Sequence, residues 1–370
     1  MKEFHGKLYE SPYVYEKEVP QAYCNNCNTF LADRFVLGKC PKCGSDTRGD
    51  QCDACGTVLE PEALIEPICA VCGKPVSFKN SKHLYIAISK LQTELKALVN
   101  RHPEWRKDAK HYYVHGKDDI PFHTIILSSL LLGNGEGWHL PDQIVSSEYL
   151  TLEGRKISTS QNYAIWVKEL LEHYEADSIR YFFIANGPEK KDADFSWREY
   201  VHSHNSELLG AYGNFVNRSL AFIVKYCDGV VPNGIENPEL DAQIDEIFLS
   251  VGKQIEKGCF KDALAEIFNF VRSANKFFDT ERPWITRNTD KAACDNTLYQ
   301  CVQIIANLAV LLSPFLSFSS EKVLGWLNVN NKWERKVISA GYVLPEIEIL
   351  FQRIDKKVIE IETEKLESIL

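Results

Sequence analysis

Nowhere does the chain run about 18 apolar residues together, so no membrane-spanning helix is expected. Its opening, Met1-Lys2-Glu3-Phe4-His5, lacks the apolar core that a secretion signal needs, which makes the cytoplasm the expected compartment. Positive charge is scarce as well: 42 Lys and Arg stand against 51 Asp and Glu, a net charge of −9. Indiscriminate nucleic-acid binding needs a broadly basic surface, so DNA is not an expected partner. A local basic or aromatic site for one structured RNA is compatible with that charge.

What is present is enough for two or three packed domains: 370 residues, 45% of them hydrophobic. Eight of the twelve cysteines fall in four Cys-x-x-Cys pairs: Cys24/Cys27, Cys40/Cys43, Cys52/Cys55 and Cys69/Cys72. Two thiolates separated by two residues can grip one tetrahedral Zn²⁺ from a tight turn, and two such turns complete a Cys₄ site. Disulfides or free thiols are the alternative, disfavoured without a secretion signal. Structural zinc is therefore expected, in two sites or in one with the other set empty, and the spacing leaves open which pairs join.

After a strand and helix up to Val99, Asn100 to Lys110 is polar, contains Pro103 and reads as a connector. Tyr112-Tyr113-Val114 then leads into His115-Gly116-Lys117-Asp118-Asp119, a helical pattern from Ile120 to Leu132, and a new strand near Leu140. Strand–turn–helix–strand is the unit of a parallel sheet, with Gly116 at the carboxyl end of a strand, where such folds bind ligands. A second strand, Gln143 to Leu150, precedes the polar loop Leu152 to Ser160, and a helix is expected from Tyr163 to Tyr174. Lys156, Ser158 and Ser160 in a loop that opens a helix suit a phosphate, although such loops are more often solvated turns. Asp177 is expected to cap the next helix.

From Tyr200 the pattern repeats every 3.6 residues almost throughout, giving helices over Tyr200–Asp228, Asp241–Lys257, Phe260–Asp279, Lys291–Leu312 and Ser319–Leu327, an antiparallel bundle. Asn214 and Arg218 are four apart, hence on one helix face, and Trp284 ends an Arg-Pro-Trp corner. A capped face and a core Trp would account for these three. An aromatic platform with Arg and Asn donors for unstacked RNA bases is the sharper reading. The amphipathic tail from Ile349 is expected to fold back onto the body.

These pieces resemble methionyl-tRNA synthetase, a class I aminoacyl-tRNA synthetase, over nearly the whole chain. Tyr23 to Cys72 is similar to that family's two-zinc knuckle insertion, and His115-Gly116-Lys117-Asp118-Asp119-Ile120-Pro121-Phe122-His123 to its Gly-Lys-Asp-Asn-Ile-Pro-Phe-His stretch. Gly154-Arg155-Lys156-Ile157-Ser158-Thr159-Ser160 resembles the Lys-Met-Ser-Lys-Ser loop that holds ATP phosphates, with Thr159 replacing the second Lys. Asp194-Phe195-Ser196-Trp197 and Gly213-Asn214-Phe215-Val216-Asn217-Arg218 complete the match.

The resemblance implies a fold: a partial Rossmann-like α/β nucleotide domain with an inserted zinc-knuckle domain, followed by an all-α anticodon-binding bundle. It implies boundaries at 1–110 (remnant and knuckles), 111–199 (nucleotide half), 200–344 (bundle) and 345–370 (tail). It also implies that the knuckles nest, inner pairs together and outer pairs together, around two Zn²⁺. Gly116, Asp118, Lys156, Ser158 and Ser160 would be remnant phosphate-binding residues, and Asn214, Arg218 and Trp284 would read the CAU anticodon of tRNA(Met).

Two family segments have no counterpart here: the His-Ile-Gly-His strand and helix, and the Trp-Phe-Asp-Ala-Pro-Ile-Gly-Tyr stretch expected between about Val99 and Lys110. Adenylate formation needs the triphosphate held at both ends and the carboxylate placed in line. The expectation is thus a truncated, monomeric paralogue without catalytic residues that binds tRNA(Met) and presents it, with a partner enzyme conceivable. The alternative is an enzyme: an active methionine–tRNA ligase whose missing half is supplied in trans, or a remnant reshaped for another ATP- or tRNA-dependent reaction with Lys156 and His115 as candidates.

Overall fold

A computed structural model describes residues 2–52, 54–100, 114–116, 119, 122–135, 138, 140, 145–158 and 162–368. It divides into two compact units, Met1–Tyr113 with Asp118–Ile144, and Val114–Lys117 with Val145–Leu370.

The first unit contains α1 (Lys2–Tyr9), β1 (Val14–Cys24), β2 (Thr29–Phe30), β3 (Val36–Lys39), β4 (Asp46–Arg48), β5 (Ile65–Cys69), β6 (Ser77–Ile86), α2 (Gln92–Asn100) and α3 (Ser128–Asn134). Strands β1 and β6 form a long antiparallel ribbon in register from Val14↔Ile86 to Tyr23↔Ser77. The chain between them is a cysteine-rich lobe with a second sheet, in the order β4-β3-β5. Its core is small: Leu31, Val36, Leu59 and Leu64 pack with the buried sulfurs of Cys24, Cys40, Cys52 and Cys69. So little apolar surface cannot order the lobe alone, and the sulfur chemistry has to contribute.

In the second unit β7 (Val114–Gly116) and β8 (Val145–Ser147) run parallel, Val114 opposite Val145. Beyond them β9 (Leu150–Leu152) lies between β10 (Arg155–Lys156), antiparallel, and β11 (Ala193–Phe195), parallel. Then α4 (Val167–His173), α5 (Ala176–Ala185) and α6 (Trp197–Ser203) lead through a wider π-helical stretch, His204–Gly213, into α7 (Asn214–Tyr226). The bundle continues with α8 (Pro238–Glu256), α9 (Phe260–Glu281), α10 (Pro283–Thr289), α11 (Lys291–Leu312) and α12 (Ser317–Trp326). Helix α11 is buried on every side from Leu298 through Leu312 apart from one partly exposed position, Tyr299, as expected of a helix apolar all round. Its buried amides are all used: Gln303 and Asn307 each give and receive a backbone hydrogen bond, at Ile338 and Lys336, which stitches the segment after α12 onto the core.

The tail folds back. His204 Nε2–H donates to the Gln352 carbonyl at 2.7 Å, Asn205 makes a reciprocal pair with the Ile354 backbone, and α13 (Lys357–Glu367) buries Leu366 against the Trp197–Tyr200 cluster.

Two local expectations are corrected. The helix expected from Tyr163 begins at Val167, and Lys156 lies on β10 of a hairpin instead of in a loop that opens a helix. Glu153 and Gly154 both take positive φ, 47° and 75°, and the Asp194 carboxylate accepts from Gly154 N at 2.8 Å and from Thr151 Oγ at 2.6 Å, which closes the turn. Asp177 does not cap its own helix, whose N-cap is Glu175. Buried at 3% exposure, its carboxylate accepts from Ser319 N at 2.6 Å and Ser319 Oγ at 2.7 Å, so it caps α12 from a distance in sequence.

Candidate zinc knuckles and RNA-reading face

The eight knuckle sulfurs form two sets, Cys24, Cys27, Cys69 and Cys72, and Cys40, Cys43, Cys52 and Cys55, each with its sulfurs within 4.8 Å of one another. The outer pairs meet and the inner pairs meet. Each turn is built alike: the residue after the second cysteine, Asn28, Gly44, Gly56 or Gly73, has positive φ, between 52° and 76°. That conformation turns the chain back over the sulfurs, and Gly is cheapest there.

The donor set fits a tetrahedral metal. Zn–S bonds of about 2.3 Å give S–S edges of about 3.8 Å, and the sulfurs stand 3.4 Å apart at Cys24–Cys72, 3.6 Å at Cys43–Cys52 and 3.8 Å at Cys40–Cys55. Thiolate character is already favoured: the Thr57 hydroxyl pulls Cys55 down to about 6, and the Lys74 backbone N–H pulls Cys72 down to about 7. Crowding has the opposite effect on Cys27, pushed up to about 12, first by its contact with Cys72. A divalent cation at the centre would remove that repulsion and let all four ionise.

Asn214, Arg218 and Trp284 come together on one surface of the bundle. Asn214 is exposed near the start of α7, and Arg218 sits one turn on. Arg218 Cζ stacks 4.1 Å from the Phe278 ring and 5.9 Å from the Trp284 ring, and its NH2 donates to Asp279 Oδ1 at 2.5 Å. Trp284 is 43% exposed and lies 5.9 Å from Phe278, tilted by 31°, so it is no core residue. The corner that presents it depends on Arg282, left-handed at φ 47°, followed by Pro283 at the first helical position of α10.

The supports on α9 escaped the sequence reading. Asn275 Nδ2 donates to the carbonyls of Ala211 and Val271, leaving its Oδ1 to accept from Asn214 Nδ2 at 3.5 Å. Asn275 and Asp279 are four apart on α9, matching the four-residue step of Asn214 and Arg218 on α7. That facing periodicity was the available signal.

The nucleotide-side residues are less gathered. Lys156 is exposed on β10, Ser158 pairs its backbone with Tyr163 in both directions at 2.9 Å, and Gly116 ends β7. Ser160 and Asp118 lie outside the described residues.

The description "tRNA synthetases class I (M)" matches residues 1–115 and 105–220, and "Anticodon binding domain of methionyl tRNA ligase" matches residues 231–367. These place the chain among class I tRNA synthetases. Methionine–tRNA ligase of Bacillus cereus (strain G9842) is 43% identical over 434 aligned positions, spanning 97% of this chain and 79% of the relative. Methionine–tRNA ligase 1 of Alkaliphilus oremlandii is 42% identical, spanning 97% and 80%. The chain belongs to the methionyl-tRNA synthetase family. Mycobacterium tuberculosis methionyl-tRNA synthetase in complex with methionyl-adenylate has the same fold, with a TM-score of 0.74 at 19% identity over 95% of this chain and 80% of that one. A Rossmann-like domain and a helical anticodon domain are thus the architecture, and among the described residues no helix is long and apolar enough to cross a membrane.

Proposed function

We propose that this chain binds tRNA(Met) through its CAU anticodon and does not activate methionine by itself. The arrangement that carries this is the cluster of Arg218 on the Phe278 face with Trp284 beside both, and the Asn214 amide one turn away. An exposed indole offers a platform for a splayed base. A guanidinium and an amide of fixed orientation offer edge-on hydrogen bonds, the means by which single-stranded RNA loops are read.

The silence on activation is supported by an internal gap. The synthetase description matches in two pieces that meet at 105–115, and the alignment to the Bacillus cereus ligase is longer than the 370 residues of this chain. The relative therefore carries an internal stretch without a counterpart here. Adenylation depends on donors placed within about an ångström, and a missing segment of the site costs orders of magnitude in rate. Lys156 and Ser158 are the residues through which a phosphate of a nucleotide or of the RNA backbone would be met. Two Zn²⁺, held by the outer and inner cysteine quartets, would supply structure to the knuckle lobe and no chemistry, since four thiolates leave no open position.

Two measurements test this. The chain should bind a CAU anticodon stem-loop well above a loop with an exchanged triplet, and should show no methionine-dependent ATP–pyrophosphate exchange. Equal affinity for the two loops would defeat the binding half, and clear exchange by the isolated chain would defeat the other. Exchange that appears only on adding a second polypeptide would favour a ligase completed in trans.

A further inference from the structure

Helix α7 carries a stripe at four-residue steps, Asn214, Arg218, Phe222 and Tyr226, of which the proposed readers use the first half. The second half is built on the same plan. Arg287, one turn after Trp284 on α10, lays its guanidinium 4.1 Å from the centre of the Tyr226 ring, and Phe222 backs Tyr226 at 4.5 Å. A cation on an aromatic face is thus repeated: Arg218 on Phe278, then Arg287 on Tyr226. From Arg218 to Tyr226 α7 rises about 12 Å, and from Trp284 to Arg287 α10 rises about 4.5 Å. The two stacks are therefore neighbours on one face.

The second differs from the first in one respect. Arg218 is paired with Asp279, whereas Arg287 makes no ion pair among the described residues, and its Nε is buried without a hydrogen-bond partner. Lys225 also approaches the Tyr226 ring, at 5.2 Å, and has no acidic partner among the described residues. The two cations push the Tyr226 phenol below its ordinary range, Lys225 first. An exposed phenol flanked by two uncompensated cations is out of character for a chain of net charge −9. Lys225 lies in the last turn of α7 and Arg287 in that of α10, where a cation suits the helix end, but helix ends alone do not require both to face one ring. Guanidinium planes stack on bases, and Lys serves phosphates as a mobile point charge.

We propose that Tyr226 and Arg287 form a second stacking step that takes a nucleotide flanking the triplet, its base on the outer face of the Arg287 guanidinium and its phosphate within reach of Lys225. This rests on the anticodon reading, and it extends recognition from the triplet to the loop around it.

The test is a cycle of protein and RNA changes, read by fluorescence anisotropy on the zinc-loaded full chain. The RNAs are a CAU stem-loop, the same loop with an abasic ribose immediately 5′ or immediately 3′ of the triplet, and a loop with an exchanged triplet. The proteins are wild type, Arg287→Met and Tyr226→Leu. Wild type should lose about tenfold on one of the two abasic loops, in line with the loss of one stacked base. Arg287→Met should lose a similar factor on the intact loop and little more on that abasic loop. Tyr226→Phe, which keeps the ring, should bind as wild type does.

If wild type separates CAU from the exchanged triplet but Arg287→Met binds as tightly as wild type, this second step is overturned and the anticodon reading stands. Equal losses by Arg287→Met on intact and abasic loops would overturn it in the same way. If wild type does not separate the triplets, both fall. Should Tyr226→Leu fail to fold, the Arg287→Met arm decides alone.

Discussion

Replacing Trp284 with Ala is the most direct test of the proposed reading face, because structure and binding should respond very differently. The indole is 43% exposed in the free protein, and its packing partner Phe278 is itself buried at 2% exposure among bundle residues. Truncation removes a ring that is already partly in solvent and uncovers only the Phe278 edge it covers, so the fold should lose about 1 kcal/mol, near the centre of the range for point substitutions. A base stacked on the indole is worth about 1–3 kcal/mol by alanine substitution, which is roughly a 5- to 150-fold loss of affinity. A further loss is expected from Arg218, whose guanidinium lies on the Phe278 face with the Trp284 ring 5.9 Å away and would lose that second aromatic neighbour. The assay is anisotropy of a labelled CAU stem-loop, with a thermal melt of the same samples. Binding should fall at least about fivefold while the bundle melts within a few degrees of wild type. Trp284→Ala that binds the loop within a factor of two would show that the stack is packing and nothing more.

Three other outcomes follow from the geometry. Removing metal with a strong chelator should release two Zn²⁺ per chain and unfold the knuckle lobe while the helical signal of the bundle persists; Cys40→Ala and Cys24→Ala should each reduce the metal content by one. Asp177→Ala leaves two α12 N–H groups and the Ser319 hydroxyl without their acceptor, and should cost about 2–3 kcal/mol in urea denaturation. Burial holds His204 below the ordinary imidazole range against the opposing pull of the Gln352 carbonyl, so the unfolded chain takes up its proton first. Stability should then be full above about pH 6.5 and fall as the pH drops toward the lower folded-state value; His204→Gln should flatten that slope.

Elements whose signal is local were readable in the sequence. The cysteine pairs fixed their own turns, and the bundle helices were visible as 3.6-residue repeats, with α9 and α11 starting where expected at Phe260 and Lys291. The stretch around Lys156 was not, because a helix was expected to follow the loop directly. The hairpin is set by Asp194, forty residues away, whose carboxylate reaches the Gly154 N–H. Asp177 misled for the same reason: an acidic residue in a first turn looks like a cap for its own helix, and only the fold brings Ser319 to it. The supports at Asn275, Phe278 and Asp279 lay in plain view as polar and aromatic positions on α9, but nothing local says which face of α7 they meet.

The proposed readers also explain why anticodon recognition and adenylation could part company in one family. Asn214, Arg218 and Trp284 are held by α7, α9 and α10, and every support named for them, from Ala211 to Asp279, belongs to the same compact unit. Their alignment is fixed by helix–helix register and by the core around α11, where the side chains from Leu298 to Leu312 are almost all buried. Helix register is set by many contacts and tolerates changes elsewhere in the chain. An adenylation site has the opposite construction, with donors from several segments converging on one triphosphate, so that loss of any segment removes the geometry as a whole. On the proposed reading, a segment missing at the 105–115 junction would act on the second kind of site and leave the first in place.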